Sequence, residues 1–356
     1  MNKQFWPPLL RIPPDDKKEH TMNATEPARL DQPASRNALA MVRVPQFLRS
    51  WRTTGILIPF VVLFAFLCLK SAPFHSTHNL INILNQQAST LCIAAACTLV
   101  LVAGGIDLSV GATYGLASVV GGELAMHHSA GIAMAAALGV GLLVGVINGL
   151  IVTVVKISPL ITTLAMSFVV SGVALKVTQG NLISLPPSGA FYLLANMHFL
   201  KVPSGVWLTG ALVVILALLL SRTTIGRYLV AAGGNAEAAR LAGVRVNSIK
   251  LMTYVLSGFA AGIGGCIDLS RLSSAEASSG GNTLAFTVLA AVVVGGTSIA
   301  GGEGSVWRST IGVLFVALIG NGFILLSINP LYQQIVLGGI LLLAVGLDSW
   351  FRYRAQ

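Results

Sequence analysis

Between about residue 52 and residue 350 the chain returns repeatedly to apolar stretches close to the roughly 20 residues that cross hydrocarbon. Ten can be marked, at about 52–70, 86–104, 108–126, 130–153, 159–176, 205–221, 251–269, 284–302, 306–328 and 331–350. Within a bilayer no water satisfies backbone N–H and C=O groups, so helices are what such stretches can form. Only 10% of the residues are charged, where a soluble domain carries about 25%. The expected fold class is an all-α polytopic membrane protein of about ten transmembrane helices. Spans 2–5 and 7–10 would enter from opposite sides, so any relation between these halves would be an inverted repeat. The echo VAGGIDLS (102–109) against VVGGTSIA (293–300) does not fall at equivalent points of them. Small residues recur four apart at Gly111/Gly115, Ser118/Gly122, Gly141/Gly145/Gly149 and Gly258/Gly262, a spacing that lets helix backbones approach closely.

Residues 1–51 are a different material. Pro7, Pro8, Pro13, Pro14, Pro27, Pro33 and Pro45 make up half of the chain's 14 prolines, and charge is mixed. This reads as a disordered cytoplasmic tail. It is not a signal peptide, because no apolar core begins before about Gly55; Met1, Met22 and Met41 are alternative starts. With the N-terminus inside, 18 of the 22 basic residues collect inside and four (Lys70, Lys176, Lys201, Arg271) fall outside. Lys and Arg favour the cytoplasmic side. The net charge of +10 is then topology, not nucleic-acid binding. The domain reading is tail 1–51, membrane domain 52–351, and a short cytoplasmic C-terminus 352–356, with lipid as the surrounding partner.

Residues 222–250 interrupt this pattern with RTTIGRYLVAAGGNAEAARLAGVRVNSIK. Arg222, Arg227, Arg240, Arg245 and Lys250 face a single acid, Glu237. Two short helical patterns are joined by Gly233-Gly234-Asn235, a turn or cap signal. The segment is too polar to cross a bilayer and long enough to dock onto a separate protein.

Catalysis finds no support. No Gly-x4-Gly-Lys phosphate loop, His-Glu-x-x-His helix or nucleophile elbow occurs, so no catalytic residue, metal site or cofactor is assigned. Cys68, Cys92, Cys97 and Cys266 lie in apolar stretches without disulfide or zinc spacing. Ion-coupled carriers need ionisable groups at membrane depth, at about 2.5–3.5 kcal/mol or more each. Here five of the twelve acids lie in the tail, and Asp107, Glu123, Asp268, Glu276, Glu303 and Asp348 fall near span ends or in short loops. Asp107 follows a Gly pair that breaks span 2. It either caps span 3 or, with Ser109, lines a polar pathway where irregular backbone is tolerated. Asn148, Thr162, Thr163, Ser167 and Asn321 either bond helix to helix or line the same route for a hydroxyl-rich solute.

In order, NLINILNQ (79–86), GGIDLSVGA (104–112), ISPLITTLAMS (157–167), the segment 225–250, RLSSA (271–275), AAVVVGGTSIAGGEGS (290–305) and NGFILL (321–326) resemble the membrane permease subunits of ribose/xylose/arabinose-type ABC sugar importers. The resemblance covers roughly residues 75–350. It implies a bacterial inner-membrane permease working as a homodimer or heterodimer with a second permease copy. A cytoplasmic ATP-binding cassette would supply energy, and an extracytoplasmic sugar-binding protein would deliver cargo. It also implies that Arg227, Gly233, Gly234, Asn235, Glu237, Ala238, Ala239, Arg240 and Gly243 form the cassette-docking loop. One departure stands at Ala285-Phe286-Thr287-Val288, where many members carry acids. A branched-chain amino-acid permease and a stand-alone facilitator or ion-coupled carrier are the rival readings.

Overall fold

A computed structural model describes residues 55–187, 189–329 and 331–353, all of which fall in one compact unit. The tail 1–51 and the C-terminal residues beyond 353 lie outside them. The chain forms α1 (Leu57–Lys70), α2 (Thr77–Gln86), α3 (Ala88–Val102), α4 (Val110–His127), α5 (Ala130–Leu150) and α6 (Pro159–Thr178). After α7 (Ala190–Asn196) come α8 (Ser204–Arg222), α9 (Thr224–Gly234), α10 (Ala236–Leu241) and α11 (Val246–Leu272). The series closes with α12 (Gly281–Val294), α13 (Val306–Leu325) and α14 (Tyr332–Tyr353).

The centre is set by α11, which packs on α5, α3 and α4. In its most apolar window 72% of the residues are buried, against 28–44% for the other candidate spans, so those others carry the faces that meet lipid. Every residue of α3 is buried as well, and an interior helix of this kind needs no amphipathic stripe. Local signals fix the ends. Ser76 caps α2 by accepting from Asn79 N at 3.2 Å, and Pro159 stands at the start of α6, where a missing N–H costs nothing. The end of α5 runs into a π-helical turn, Ile151–Val155, stopped by Lys156 at φ +64°.

Among the described residues five helices qualify as membrane spans by length and composition: Ala130–Val155, Pro159–Thr178, α8, α11 and α13. They become six if α2 and α3, bent by 52° at their junction, are one span. Helices also stand at the remaining predicted positions, but α1 and α12 are short. In α4, glycine, Ser, Thr and Tyr dilute the apolar signal because this helix packs inside the bundle. At the far end of α11, about 40 Å from its start, two small ladders form. Here β1 (Ile183–Ser184) pairs with β4 (Ser274–Ala275), and β2 (His198–Phe199) with β3 (Val202–Pro203).

The glycine spacings seen in the sequence are contact surfaces. A Cβ on Gly141 would lie 2.2 Å from Gly258 O, and one on Gly258 would lie 2.1 Å from Gly141 O. A Cβ on Gly145 would fall 2.5 Å from Tyr254 O, and on Gly111 1.9 Å from Gly281 O. These helices touch backbone to backbone. Gly258→Ala is therefore expected to lower thermal stability in detergent, at a cost of about 1–3 kcal/mol. Gly210→Ala, with nothing within 4 Å of the added carbon, should be neutral or stabilise by up to about 1 kcal/mol. Equal melting temperatures for the two variants would contradict the contact.

Candidate functional site

The predicted break in span 2 is present. The helix α3 ends at Val102, Gly104 takes φ +74°, and the chain stays non-helical until α4 begins at Val110. Amides of Gly104 and Gly105 return to Leu101 O and Val100 O, both at 2.9 Å, closing the helix end. Residues 107–109 that follow are buried, so their polar groups need partners.

Three helices supply those partners. Asp107 Oδ1 accepts from Ser109 N at 3.0 Å and Ser109 Oγ at 2.7 Å. Its Oδ2 accepts from Ser257 Oγ of α11 at 2.8 Å. Asn148 Nδ2 of α5 donates to Ser109 Oγ at 2.7 Å. Leu108 N donates to Thr163 Oγ1 of α6 at 3.1 Å, and Tyr254 OH of α11 donates to Ile106 O at 3.3 Å. Asp107 does not cap α4 as one sequence reading held. Ser109 occupies the N-cap without a side-chain capping bond to α4, and the Asp107 carboxylate instead braces the preceding turn against α11.

On α5 and α6 two polar side-chain atoms have no protein partner. Asn148 Oδ1 and Thr162 Oγ1 are buried without a hydrogen-bond partner among the described residues. A buried polar atom left without any partner costs about 1–3 kcal/mol. Ser167 Oγ donates to Leu164 O at 2.7 Å and lies 3.4 Å from Asn282 Oδ1 of α12. Asn321 belongs to another cluster: it exchanges two bonds with Asn79 of α2, at 3.0 and 3.2 Å. Of the seven residues expected to line a pathway, six lie along the break and on α5 and α6, and Asn321 lies at a separate helix contact.

A second buried carboxylate escaped the site reading. Asp268 Oδ2 accepts from Ser89 Oγ at 2.6 Å and Tyr114 OH at 2.7 Å, while Oδ1 accepts from Arg271 Nε at 2.9 Å. The Asp-x-x-Arg spacing on one helix face was the available signal. Thr98, Ser309 and Thr297 form a further buried hydroxyl chain between α3, α13 and the loop after α12. Of the two cavities described, one of about 310 Å³ lies by Tyr192 and Ser270, and one of about 370 Å³ by Lys156 and Lys250. Neither is lined by the predicted pathway residues.

The polar segment between α8 and α11 folds as two short helices. Thr223 Oγ1 accepts from Gly226 N at 3.2 Å at the start of α9. Asn235 ends α9 and starts α10, its Oδ1 accepting from Glu237 N at 3.1 Å and Ala238 N at 3.0 Å. Gly243, at φ +84°, stops α10, with amides of Gly243 and Val244 returning to Arg240 O and Ala239 O at 2.9 Å. Arg227, Glu237, Ala238 and Arg240 are exposed, whereas Ala239 is buried against Ala232 and Val246. Gly233 and Gly234 are the last turn of α9 rather than a free turn. They meet the span break directly. A Cβ on Gly233 would lie 1.8 Å from Val102 O and 2.7 Å from Gly302 N. Gly302 N itself donates to Val102 O at 2.9 Å.

Residues 79–345 match the family model described as branched-chain amino acid transport system / permease component. The chain is 38% identical over 301 residues to the ribose import permease protein RbsC of Escherichia coli (strain K12), covering 82% of this chain and 92% of that protein. It is 38% identical over 295 residues to the ribose import permease protein RbsC of Bacillus subtilis (strain 168), covering 82% and 91%. It is 36% identical over 312 residues to the L-arabinose transport system permease protein AraH of Escherichia coli (strain K12), covering 85% and 92%. No solved structure matches the chain significantly.

The Asp107–Ser257 bond has a measurable consequence. Asp107→Ala and Ser257→Ala should each destabilise the protein, and their effects should be non-additive by about 0.5–3 kcal/mol in a double-mutant cycle. Additive melting shifts would show that the two side chains do not interact.

Proposed function

The chain belongs to the branched-chain amino acid transport system permease-component family, and from that premise we propose that it is the membrane-spanning subunit of an ATP-driven importer for a monosaccharide or related polyol. The observation that carries the reading is 34–38% identity, over most of the chain, to permeases named for ribose and L-arabinose. The chemistry of the break supports sugar over amino acid. A zwitterion asks for charged partners, and the Asp107 carboxylate is already occupied by Ser109 and Ser257. What remains free is neutral: an amide oxygen at Asn148 and a hydroxyl at Thr162. Asp107, Ser109, Asn148, Thr162, Thr163 and Ser167 are accordingly the pathway in this reading, with Asn321 holding α13 to α2.

Ten spans in the bacterial cytoplasmic membrane, both termini cytoplasmic, and an inverted repeat of the two halves complete the proposed architecture. Residues 1–51 are a cytoplasmic tail, 52–351 the permease domain and 352–356 a short C-terminus. A second permease copy completes the passage, and an extracytoplasmic binding protein delivers solute at the far end of α11. Residues 222–250 dock a cytoplasmic ATP-binding cassette, presenting Arg227, Glu237, Ala238 and Arg240. A push on α10 reaches α9 through the shared Asn235, and α9 bears on Val102 O and Gly302 through Gly233. The moving element is then the break that carries Asp107.

Purified intact from native membranes, the protein should bring an ATP-hydrolysing subunit with it, and alone in vesicles it should not accumulate solute. Accumulation without any ATPase would overturn the assignment in favour of a carrier. Glu237→Arg and Gly243→Pro should leave the protein inserted but reduce uptake at least tenfold, roughly the effect of a coupling free energy near 1.4 kcal/mol. Proline cannot adopt φ +84°, so the second variant removes the turn that holds α10 in place. Wild-type uptake in both would remove the docking role.

A further inference from the structure

Where α5 ends, the π-helical turn and Lys156 bring the chain round to Pro159 and α6. The cavity of about 370 Å³ beside this turn is lined by Val152, Lys156, Ser158, Arg240, Asn247 and Lys250, among others. Its charge is one-sided. Three cations line it and no carboxylate does, and none of the three is ion-paired among the described residues. The guanidinium of Arg240 reaches only a neutral acceptor, Asn247 Oδ1 at 3.4 Å. The N-terminus of the 20-residue helix α6 adds the positive end of its dipole. Like charges gathered round a partly enclosed space raise the local concentration of anions.

The surroundings select which anion. On the same turn and the first turn of α6, Val154, Val155, Ile157, Leu160 and Ile161 stand 43–68% exposed. In a chain that spans a bilayer, apolar side chains so exposed face acyl chains. A headgroup held by the cations would lay its tails along this track, which a free anion or a partner's acidic side chain would leave unused. Basic pockets between membrane helices on the cytoplasmic side are suited to anionic headgroups. We infer that this cavity binds the phosphate headgroup of an anionic phospholipid, with the acyl chains lying on Val154, Val155, Ile157, Leu160 and Ile161. Because Arg240 lies on α10 and Asn247 and Lys250 on α11, an occupied site ties bilayer charge to the docking segment. The inference requires membrane residence and is independent of the solute carried.

The test is native mass spectrometry of the full chain with phosphatidylglycerol and phosphatidylcholine of identical acyl chains. Three proteins are compared: wild type, Lys156→Gln with Lys250→Gln, and Lys156→Arg with Lys250→Arg. Wild type should retain phosphatidylglycerol preferentially, the glutamine pair should lose affinity about thirtyfold, at roughly 1 kcal/mol per cation, and the arginine pair should keep it. Equal retention of the two lipids by wild type overturns the inference, even if the glutamine pair fails to fold. Inorganic phosphate binding as tightly as phosphatidylglycerol would make this a soluble-anion site and overturn it too. A glutamine pair that keeps lipid but loses its ATPase companion would assign the cations to a partner's acidic side chain.

Discussion

Helices in a bilayer gain nothing from hiding apolar surface from one another, since lipid tails are as apolar as leucine, so close packing has to hold them together. In this protein that packing is made at glycines where carbonyl oxygens occupy the space of an absent Cβ. Gly141 and Gly258 do this reciprocally between α5 and α11, and Gly111 does so against Gly281 at the start of α12. At Gly295 and Gly312 the same device joins α12 to α13. Once α11 is clamped so tightly, its polar side chains come within bonding range of the neighbouring backbone. Ser257 and Tyr254 of α11 both reach the irregular stretch after α3.

The irregular stretch is then affordable inside the membrane, because its exposed backbone groups have protein partners. Leu108 N has Thr163, Ile106 O has Tyr254, and Ser109 N has Asp107. Two atoms on the same helices, Asn148 Oδ1 and Thr162 Oγ1, do not. Neutral acceptors and hydroxyls of this kind suit, in the proposed reading, a solute that brings its own hydroxyl groups. The link from the irregular stretch to the polar segment is again a glycine contact, where Gly233, Val102 and Gly302 meet through backbone atoms alone. A rigid backbone contact passes displacement with little loss, unlike a contact between flexible side chains.

Much of this was legible in the sequence because it rests on residue types with few alternative uses. Glycines four apart marked the α5–α11 surface, Gly104-Gly105 marked the break, and Asn235 and Gly243 marked both ends of α10. The span count was less legible. Apolar length reports what faces lipid; α3 and most of α4 are buried among other helices, where small and polar residues replace the expected run of large apolar ones, and α12 is only 14 residues long. Partner choice was the hardest to read. Asn321 and Asn148 sit in similar Asn-Gly contexts, yet one pairs with Asn79 and the other with Ser109. Asp268 looked like a span-end acid until the fold brought Ser89 and Tyr114 to it from two other helices. Such pairings depend on helix rotation and register, which local patterns do not fix.

We propose that the Gly233–Val102–Gly302 junction carries force from residues 222–250 to the broken span. The most direct measurement is solute imported per ATP hydrolysed by the assembled transporter carrying Gly233→Ala or, separately, Gly302→Ala. An added Cβ at either position collides with backbone, at 1.8 Å from Val102 O or 2.8 Å from Gly234 Cα. The ratio should fall at least about fivefold in both while ATP turnover persists. A ratio equal to that of the unaltered transporter in both variants would show that force reaches the pathway by another route.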